Sequence, residues 1–176
     1  KVELLGQQMT FLTDAGVFSK KMIDYGSRVL LSALEFNKKE TLLDVGCGYG
    51  TLGLTLAKAQ ELEVTLVDIN QRALDLARKN ADANQVSADI FQSNVYEHVT
   101  GQFHHIISNP PIRAGKQVVH EVISGSYEHL LADGDLTIVI QKKQGAPSAK
   151  AKMEEVFGNC ETLKKDKGYY ILRSVK

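Results

Sequence analysis

The chain has little that would commit it to a membrane, a disulfide scaffold or a metal. Its longest apolar runs are only a few residues, as in Thr137-Ile138-Val139-Ile140, far short of the roughly 20 that a bilayer-spanning helix needs. Its start carries no secretory hydrophobic region. Cysteine is limited to Cys47 and Cys160, far apart, which reads as two reduced thiols of a cytoplasmic protein rather than a disulfide framework. None of the five histidines pairs with Cys, Asp or Glu at a recognised ligand spacing, so no metal is expected. His104 and His105 are adjacent on an expected strand and should point to opposite faces. An excess of charge is missing too: Lys+Arg and Asp+Glu stand at 21 each. Net charge gives no general case for nucleic acid, and any basic surface must be local. No internal repeat, low-complexity segment or inter-domain linker is visible. The first residue is Lys1 rather than methionine, so further residues are expected before it.

What is present is an ordinary globular composition, 43% hydrophobic and 24% charged over 176 residues, enough for one domain with a substantial core. Strand and helix patterns alternate through most of it. Val2–Leu5 and Gln8–Phe11 around Gly6-Gln7 read as a small hairpin, followed by a glycine-containing loop, Asp14 to Ser19. Met22, Ile23, Val29, Leu30, Leu31 and Leu34 predict an amphipathic helix weakened at Gly26. Strands are expected at Leu42–Val45, Leu62–Val67, Ala88–Phe91, Phe103–Ser108 and Leu136–Gln141. Helices are expected at Thr51–Lys58, at Gln71–Ala83 capped by Asn70, at Lys116–Leu131 stopped by Asp133-Gly134, and at Ser148–Phe157. Tyr169–Ser174 closes the chain as part of a terminal hairpin. This alternation predicts an α/β fold, a mostly parallel sheet with helices on both faces, preceded by a hairpin and helix.

The most informative stretch is Asp44-Val45-Gly46-Cys47-Gly48-Tyr49-Gly50, a strand end running into a loop with glycine at every second position. Glycine lets such a loop turn sharply and bring its backbone to a ligand. Gly48-Tyr49-Gly50-Thr51-Leu52-Gly53 also fits the weak G-x-G-x-x-G dinucleotide pattern. The acidic residue before the first glycine decides between the two parses. Beside a pyrophosphate Asp44 would be repulsive, whereas beside an α-ammonium it helps, which favours S-adenosylmethionine over NAD. Asp68, at the end of the next strand, can accept both ribose hydroxyls; its bland alternative is a helix N-terminal charge. Ile69 offers an apolar surface to the adenine, and Asn94 an amide to its edge, unless Asn94 is a plain turn residue. Cys47 reads as a small residue packed under the cofactor, not a nucleophile.

Proline is scarce, three in all, and two are adjacent in Asn109-Pro110-Pro111-Ile112. Two prolines end a strand and hold the preceding carbonyls rigidly. With Gly16-Val17-Phe18-Ser19, Asp24-Tyr25-Gly26-Ser27, the glycine loop and Ser108-Asn109-Pro110-Pro111, nearly the whole chain resembles the class I S-adenosylmethionine-dependent methyltransferases. It is most similar to the ribosomal RNA small subunit methyltransferase C family, which methylates guanine N2 in 16S rRNA. The resemblance implies a Rossmann-like fold with a mostly parallel seven-stranded sheet, in one domain made of a hairpin-and-helix extension over residues 1–36 and a catalytic core over 37–176. It implies S-adenosylmethionine as cofactor, S-adenosylhomocysteine as product, and ribosomal RNA or the small ribosomal subunit as partner. It assigns Asn109, Pro110 and Pro111 to catalysis, and Asp44, Gly46, Cys47, Gly48, Gly50, Asp68, Ile69, Asn94 and Asn109 to the cofactor. Phe18, Asp24 and Gly26 join the cofactor and substrate side. Two departures stand out. Larger members carry a second, amino-terminal domain, and the residue after Pro-Pro is usually an aromatic that clamps the base. Here it is Ile112, which leaves Phe18 and Tyr25 as candidates. Arg113, Lys116, Lys142 and Lys143, with Lys150 and Lys152, should project beside the acceptor site and meet RNA phosphates; solvated surface lysines are the alternative. Two other readings remain open: an Asn-Pro-Pro methyltransferase acting on protein glutamine or DNA adenine, and a non-catalytic cofactor-binding module in ribosome assembly.

Overall fold

The computed structural model describes residues 2–13, 16–18, 24–110 and 115–176. Ser19, Met22, Ile23, Pro111, Ile112 and Arg113 lie outside the described residues, and Phe18 is placed by its backbone alone.

A seven-stranded sheet organises the molecule. Its parallel strands are β5 (Thr41–Val45), β6 (Glu63–Asp68), β7 (Ala88–Gln92), β8 (Phe103–Ser108) and β9 (Leu130–Gln141), and a hairpin of β10 (Glu161–Asp166) and β11 (Tyr169–Val175) completes one edge. The order is β10-β11-β9-β8-β5-β6-β7. Strands β5 to β9 run parallel, and β11 lies antiparallel between β9 and β10. Leu42, Leu43, Leu66, Ile106, Ile107, Leu136 and Ile138 are fully buried. Such runs are apolar without alternation because helices cover both faces. Two hydrophobic clusters, one on each side, hold α2 (Thr51–Gln60) and α3 (Gln71–Ala83) apart from α4 (Gly115–Ser126) and α5 (Ala146–Phe157). The order reverses between β5 and β8, so the crevice beyond their carboxyl ends is where a doubly wound sheet binds its ligand.

The amino-terminal hairpin forms as expected, with β1 (Val2–Leu4) antiparallel to β2 (Gln7–Met9). Phe11, expected in that hairpin, instead starts β3 (Phe11–Thr13), which pairs antiparallel with β4 (Gly16–Phe18) on the segment expected as a loop. What holds β3 is α3. Asn80 and Asn84, one helical turn apart, offer their amides to the backbone of β3 as a neighbouring strand would. Leu12 N–H donates to Asn80 Oδ1 at 2.6 Å and Thr10 N–H to Asn84 Oδ1 at 2.8 Å. The two Nδ2 groups return bonds to the carbonyls of Leu12 and Thr10. Asn80 Nδ2 also reaches the Tyr49 carbonyl in the glycine loop at 2.9 Å.

One expected helix is too long. α4 ends at Ser126, a 3-10 turn covers Tyr127–His129, and Leu130 already belongs to β9. Leu130 and Leu131 suit either structure by hydrophobicity alone, and pairing of Leu130 with Phe103 decides for the strand. Asp133-Gly134 is not a helix stop but an irregularity inside β9, where the register shifts and Asp133 takes φ 68°. A Cβ on Gly134 would sit 2.8 Å from the His104 carbonyl.

His104 and His105 do face opposite ways. His104 Nδ1 accepts from Thr41 N–H at 3.0 Å. His105 lies between Asp135 (2.6 Å) and Glu40 (2.9 Å) and stacks on Phe36 at 3.8 Å. Asp135 is shared with Arg173 Nε at 2.7 Å. This network belongs to the amino-terminal half of the sheet, away from the crevice.

Candidate active site

The glycine loop leaves β5 and turns under positive φ at Gly46 (75°), Gly48 (56°) and Gly50 (92°), a conformation that residues with a Cβ adopt only with strain. Gly46 N–H and Cys47 N–H both donate to the Val67 carbonyl at 2.9 Å. Gly48 N–H donates to Asp68 Oδ2 at 2.8 Å, and Asn70 N–H to Asp68 Oδ1 at 2.9 Å. Asp68 therefore ties the loop to the tip of β6 and keeps further lone pairs on each oxygen. Gly53, on the first turn of α2, serves close packing: a Cβ there would collide with Leu66.

Asp44 is 1% exposed. Its Oδ2 accepts from Gly53 N–H at 3.1 Å, while Oδ1 finds no partner among the described residues. Full burial pushes the carboxyl from its ordinary 3.8 up to about 7; the Gly53 bond opposes the rise and the Asp68 charge adds to it. A buried carboxylate with an orphaned oxygen is costly. A cationic ligand group would relieve it, which is the fit expected of a cofactor bearing an α-ammonium. The Cys47 thiol is pushed far upward by burial, with the Asp44 and Asp68 charges adding. A thiol held neutral packs and does not attack.

Two cavities open at the carboxyl ends. One, of about 360 Å³, is lined by Gly46, Asp68, Ile69, Asn94 and Pro110 with Val122 behind them. Ile69 is 61% exposed at its lip. Its walls are mainly apolar with a carboxylate at one end, which suits an adenosine. The other, of about 650 Å³, is lined by Asp24, Asn109, Pro110, Lys116, Lys143 and Tyr169, among others. Pro110 belongs to both, so the two cavities meet at the Asn-Pro motif. Ser108, just before it, is buried, and its hydroxyl donates to the Val45 carbonyl at 2.8 Å, locking the tips of β8 and β5 together.

Of the expected site residues, Asp24, Gly46, Asp68, Ile69, Asn94, Asn109, Pro110, Lys116 and Lys143 line one or both cavities. Asp44, Cys47, Gly48, Gly50, Gly26 and Lys142 line neither. Gly26 packs in the first turn of α1 (Tyr25–Ala33), where a Cβ would meet the Tyr169 ring at 2.9 Å. Lys142 follows β9 in a 3-10 turn, its N–H on the Gly168 carbonyl. Of the expected aromatics, Tyr25 lies against Tyr169 with ring centroids 5.6 Å apart. Among the described residues Tyr169 is the aromatic that lines the Asn109 cavity, and its sequence pattern marks it only as a strand residue. Both amide hydrogens of Asn109 are used: Nδ2 donates to Asp24 Oδ2 at 2.6 Å and to Ser27 Oγ at 2.8 Å.

A family model, the methyltransferase small domain, matches residues 8–173. The chain belongs to the methyltransferase small domain family. Its fold is that of the class I S-adenosylmethionine-dependent methyltransferases, of the ribosomal RNA small subunit methyltransferase C type. An uncharacterized protein of Bacillus subtilis (strain 168), YbxB, is 47% identical over 98% of the chain and 89% of its own length. The ribosomal RNA small subunit methyltransferase C of Erwinia tasmaniensis is 37% identical over 96% of the chain and 50% of its own length. Among solved structures, the T. thermophilus 16S rRNA N2 methyltransferase (RsmC), in complex with AdoMet and guanosine, superposes with a TM-score of 0.87. It is 30% identical over 99% of the chain and 49% of that protein. The chain thus spans about half the length of its methyltransferase C relatives.

Proposed function

We propose that this chain binds S-adenosylmethionine in the smaller cavity and transfers its methyl group to an exocyclic amine, guanine N2 of 16S ribosomal RNA, presented in the larger one. The observation that carries the reading is Pro110: the smaller, mainly apolar cavity and the Asn109 cavity share this residue, as donor and acceptor sites of a direct transfer must adjoin. The resemblance to a 16S rRNA N2 methyltransferase solved with guanosine supports guanine over other amines.

Asp44 would face the α-ammonium, Asp68 the ribose hydroxyls, and Ile69 and Asn94 the adenine. The cofactor supplies an electrophilic methyl on a sulfonium. What the protein must add is alignment, because the guanine amine is a weak nucleophile whose lone pair is delocalised into the ring. Asn109 Oδ1 and the Pro110 carbonyl accept the two amine hydrogens. That turns the lone pair toward the methyl and stabilises positive charge growing on nitrogen. Transfer would form the N–C bond at the expense of the cofactor's C–S bond, leaving a neutral thioether, and the extra proton on the amine nitrogen would leave to solvent. No strong base is required. A base stacked in a helix cannot reach such a cavity, so the target is unpaired or flipped. Lys116 and Lys143 on the cavity wall, with Lys142 beside them, would hold its phosphates.

Incubation with tritiated cofactor and separated small subunits, free rRNA, DNA and protein fractions tests this. Label should appear as N2-methylguanine in 16S rRNA or the small subunit. Label confined to protein or DNA, or none with the cofactor bound, would overturn the assignment.

A further inference from the structure

We propose that Asp24 and Ser27 are positioning residues that fix the polarity of the Asn109 amide, so that it presents only acceptor lone pairs to the target amine. The proposal rests on the methyl-transfer reading above and assigns Asp24 to the acceptor side rather than to the cofactor.

A carboxamide rotated by half a turn occupies nearly the same volume, so packing cannot choose between its two orientations; only hydrogen-bond partners can. Asp24 is acceptor-only when ionised. With Asn109 inverted, Oδ1 would stand where Nδ2 now lies, 2.6 Å from Asp24 Oδ2, oxygen against oxygen. The second amide hydrogen goes to Ser27 Oγ at 2.8 Å, so the NH₂ group has no hydrogen left for a ligand. Oδ1 keeps its acceptor capacity. The amide is thereby matched to a group that donates, such as an exocyclic amine, and mismatched to a carbonyl or an unprotonated ring nitrogen.

The two partners are themselves fixed. Asp24 caps α1, its Oδ1 accepting from Gly26 N–H at 3.1 Å. Ser27, buried at 8% exposure, sits in the same first turn. Gly26 allows that turn to press on Tyr169. An element 85 and 82 residues away along the chain thus sets the direction of a catalytic amide at the end of β8.

The test has two arms. In the ligand-free full chain, solvent exchange of the Asn109 side-chain hydrogens is followed by NMR. It should be at least about tenfold slower than in the Asp24→Ala, Ser27→Ala double variant, as for hydrogen-bonded against free amides. Equal exchange would overturn the proposal whatever the enzyme does. In single-turnover transfer to whichever RNA the wild type labels, Ser27→Ala should lose about tenfold in rate. Asp24→Asn, which lets the amide invert, should lose about 100-fold, the scale of a lost preorganised contact. Cofactor Kd should stay within about twofold in both. Ser27→Thr should restore the rate, and neither change should lower it further in an Asn109→Ala background. Wild-type rates in both variants, or a cofactor affinity that falls in step with the rate, would overturn the proposal. A wild-type chain that binds cofactor yet labels nothing would sink the methyl-transfer reading instead, and the exchange comparison would then decide on the amide alone.

Discussion

Asp44 makes cofactor binding a measurable function of pH. Its carboxyl has been raised to about 7 by burial, with one oxygen unpartnered among the described residues. A ligand ammonium is stabilised by the ionised form, so the ligand must first strip a proton from Asp44 at lower pH. If only the ionised form binds, the apparent Kd rises as one plus the protonated-to-ionised ratio. Between about pH 7.5 and about pH 6 it should then weaken about eightfold, close to 1.2 kcal/mol. Calorimetry across that window is the assay. S-adenosylhomocysteine, which keeps the ammonium but lacks the sulfonium, should show the same dependence, and adenosine, which has neither, should show none. Asp44→Asn should bind more weakly and lose the dependence. The sign for stability is the opposite of the usual carboxylate case. The native value lies above the ordinary one, so the ligand-free fold is favoured at low pH and loses stability as pH rises from about 4 through about 7. Asp44→Asn should therefore stabilise the ligand-free protein above neutrality. At about 1.4 kcal/mol per pKa unit, the move from 3.8 to about 7 caps that gain at roughly 4 kcal/mol. A Kd that is flat between these pH values, or an equal slope for adenosine, would refute the placement of Asp44 beside the ammonium.

Four further outcomes follow from particular contacts. Asp68→Ala removes the ribose acceptor and unties Gly48 and Asn70 N–H, and should reduce cofactor binding by about 1.5–3 kcal/mol; an unchanged Kd by calorimetry would put the ribose elsewhere. Asn80→Ala strands the Leu12 backbone and the Tyr49 carbonyl, and should lower unfolding stability by about 3 kcal/mol in urea, with a loss below about 1 kcal/mol counting against a structural role. At His105 burial disfavours the charged ring, but the bonds to Asp135 and Glu40 outweigh it and raise its pKa; its stabilisation is full below about 6.5 and disappears as pH rises through the elevated native value, so His105→Gln should flatten that part of a pH–stability curve, and an unchanged curve would refute the coupling. Replacing Lys142 and Lys143 together by alanine should lower the log–log salt slope of RNA binding by about 1.4, the single-strand figure for two phosphate contacts, without changing cofactor Kd; an unaltered slope would leave them as solvated lysines.

What the sequence made legible was local. Asn70 caps α3 through bonds to the N–H groups of Arg72 and Ala73, a signal contained in four residues. The glycine loop and Asn109-Pro110 are likewise contiguous, so their chemistry could be read before their partners were known. Hidden features depend on groups brought together from far apart. Asn80 and Asn84 look like solvent-facing positions of an amphipathic helix, yet they are 0% and 2% exposed because a three-residue strand covers them. That strand and its partner are too short to register as periodicity. His105 meets Glu40 and Asp135 across 65 and 30 residues. Leu130 and Leu131 fit a helix pattern as well as a strand, and only pairing with β8 separated the two.

The amino-terminal extension acts on both halves of the site. A doubly wound core by itself supplies a glycine loop, two strand-end carboxylates and an Asn-Pro strand stop. It supplies Asn80 to the Tyr49 carbonyl, but the partners that orient the Asn109 amide come from outside it. Here α3 clamps β3 with the same Asn80 that holds Tyr49, so the extension and the cofactor loop share one anchor. The first turn of α1 then occupies both hydrogens of Asn109. Loosening Asn80 should therefore be felt on the cofactor side and loosening Asp24 or Ser27 on the acceptor side. The two cavities remain distinct even though Pro110 joins them.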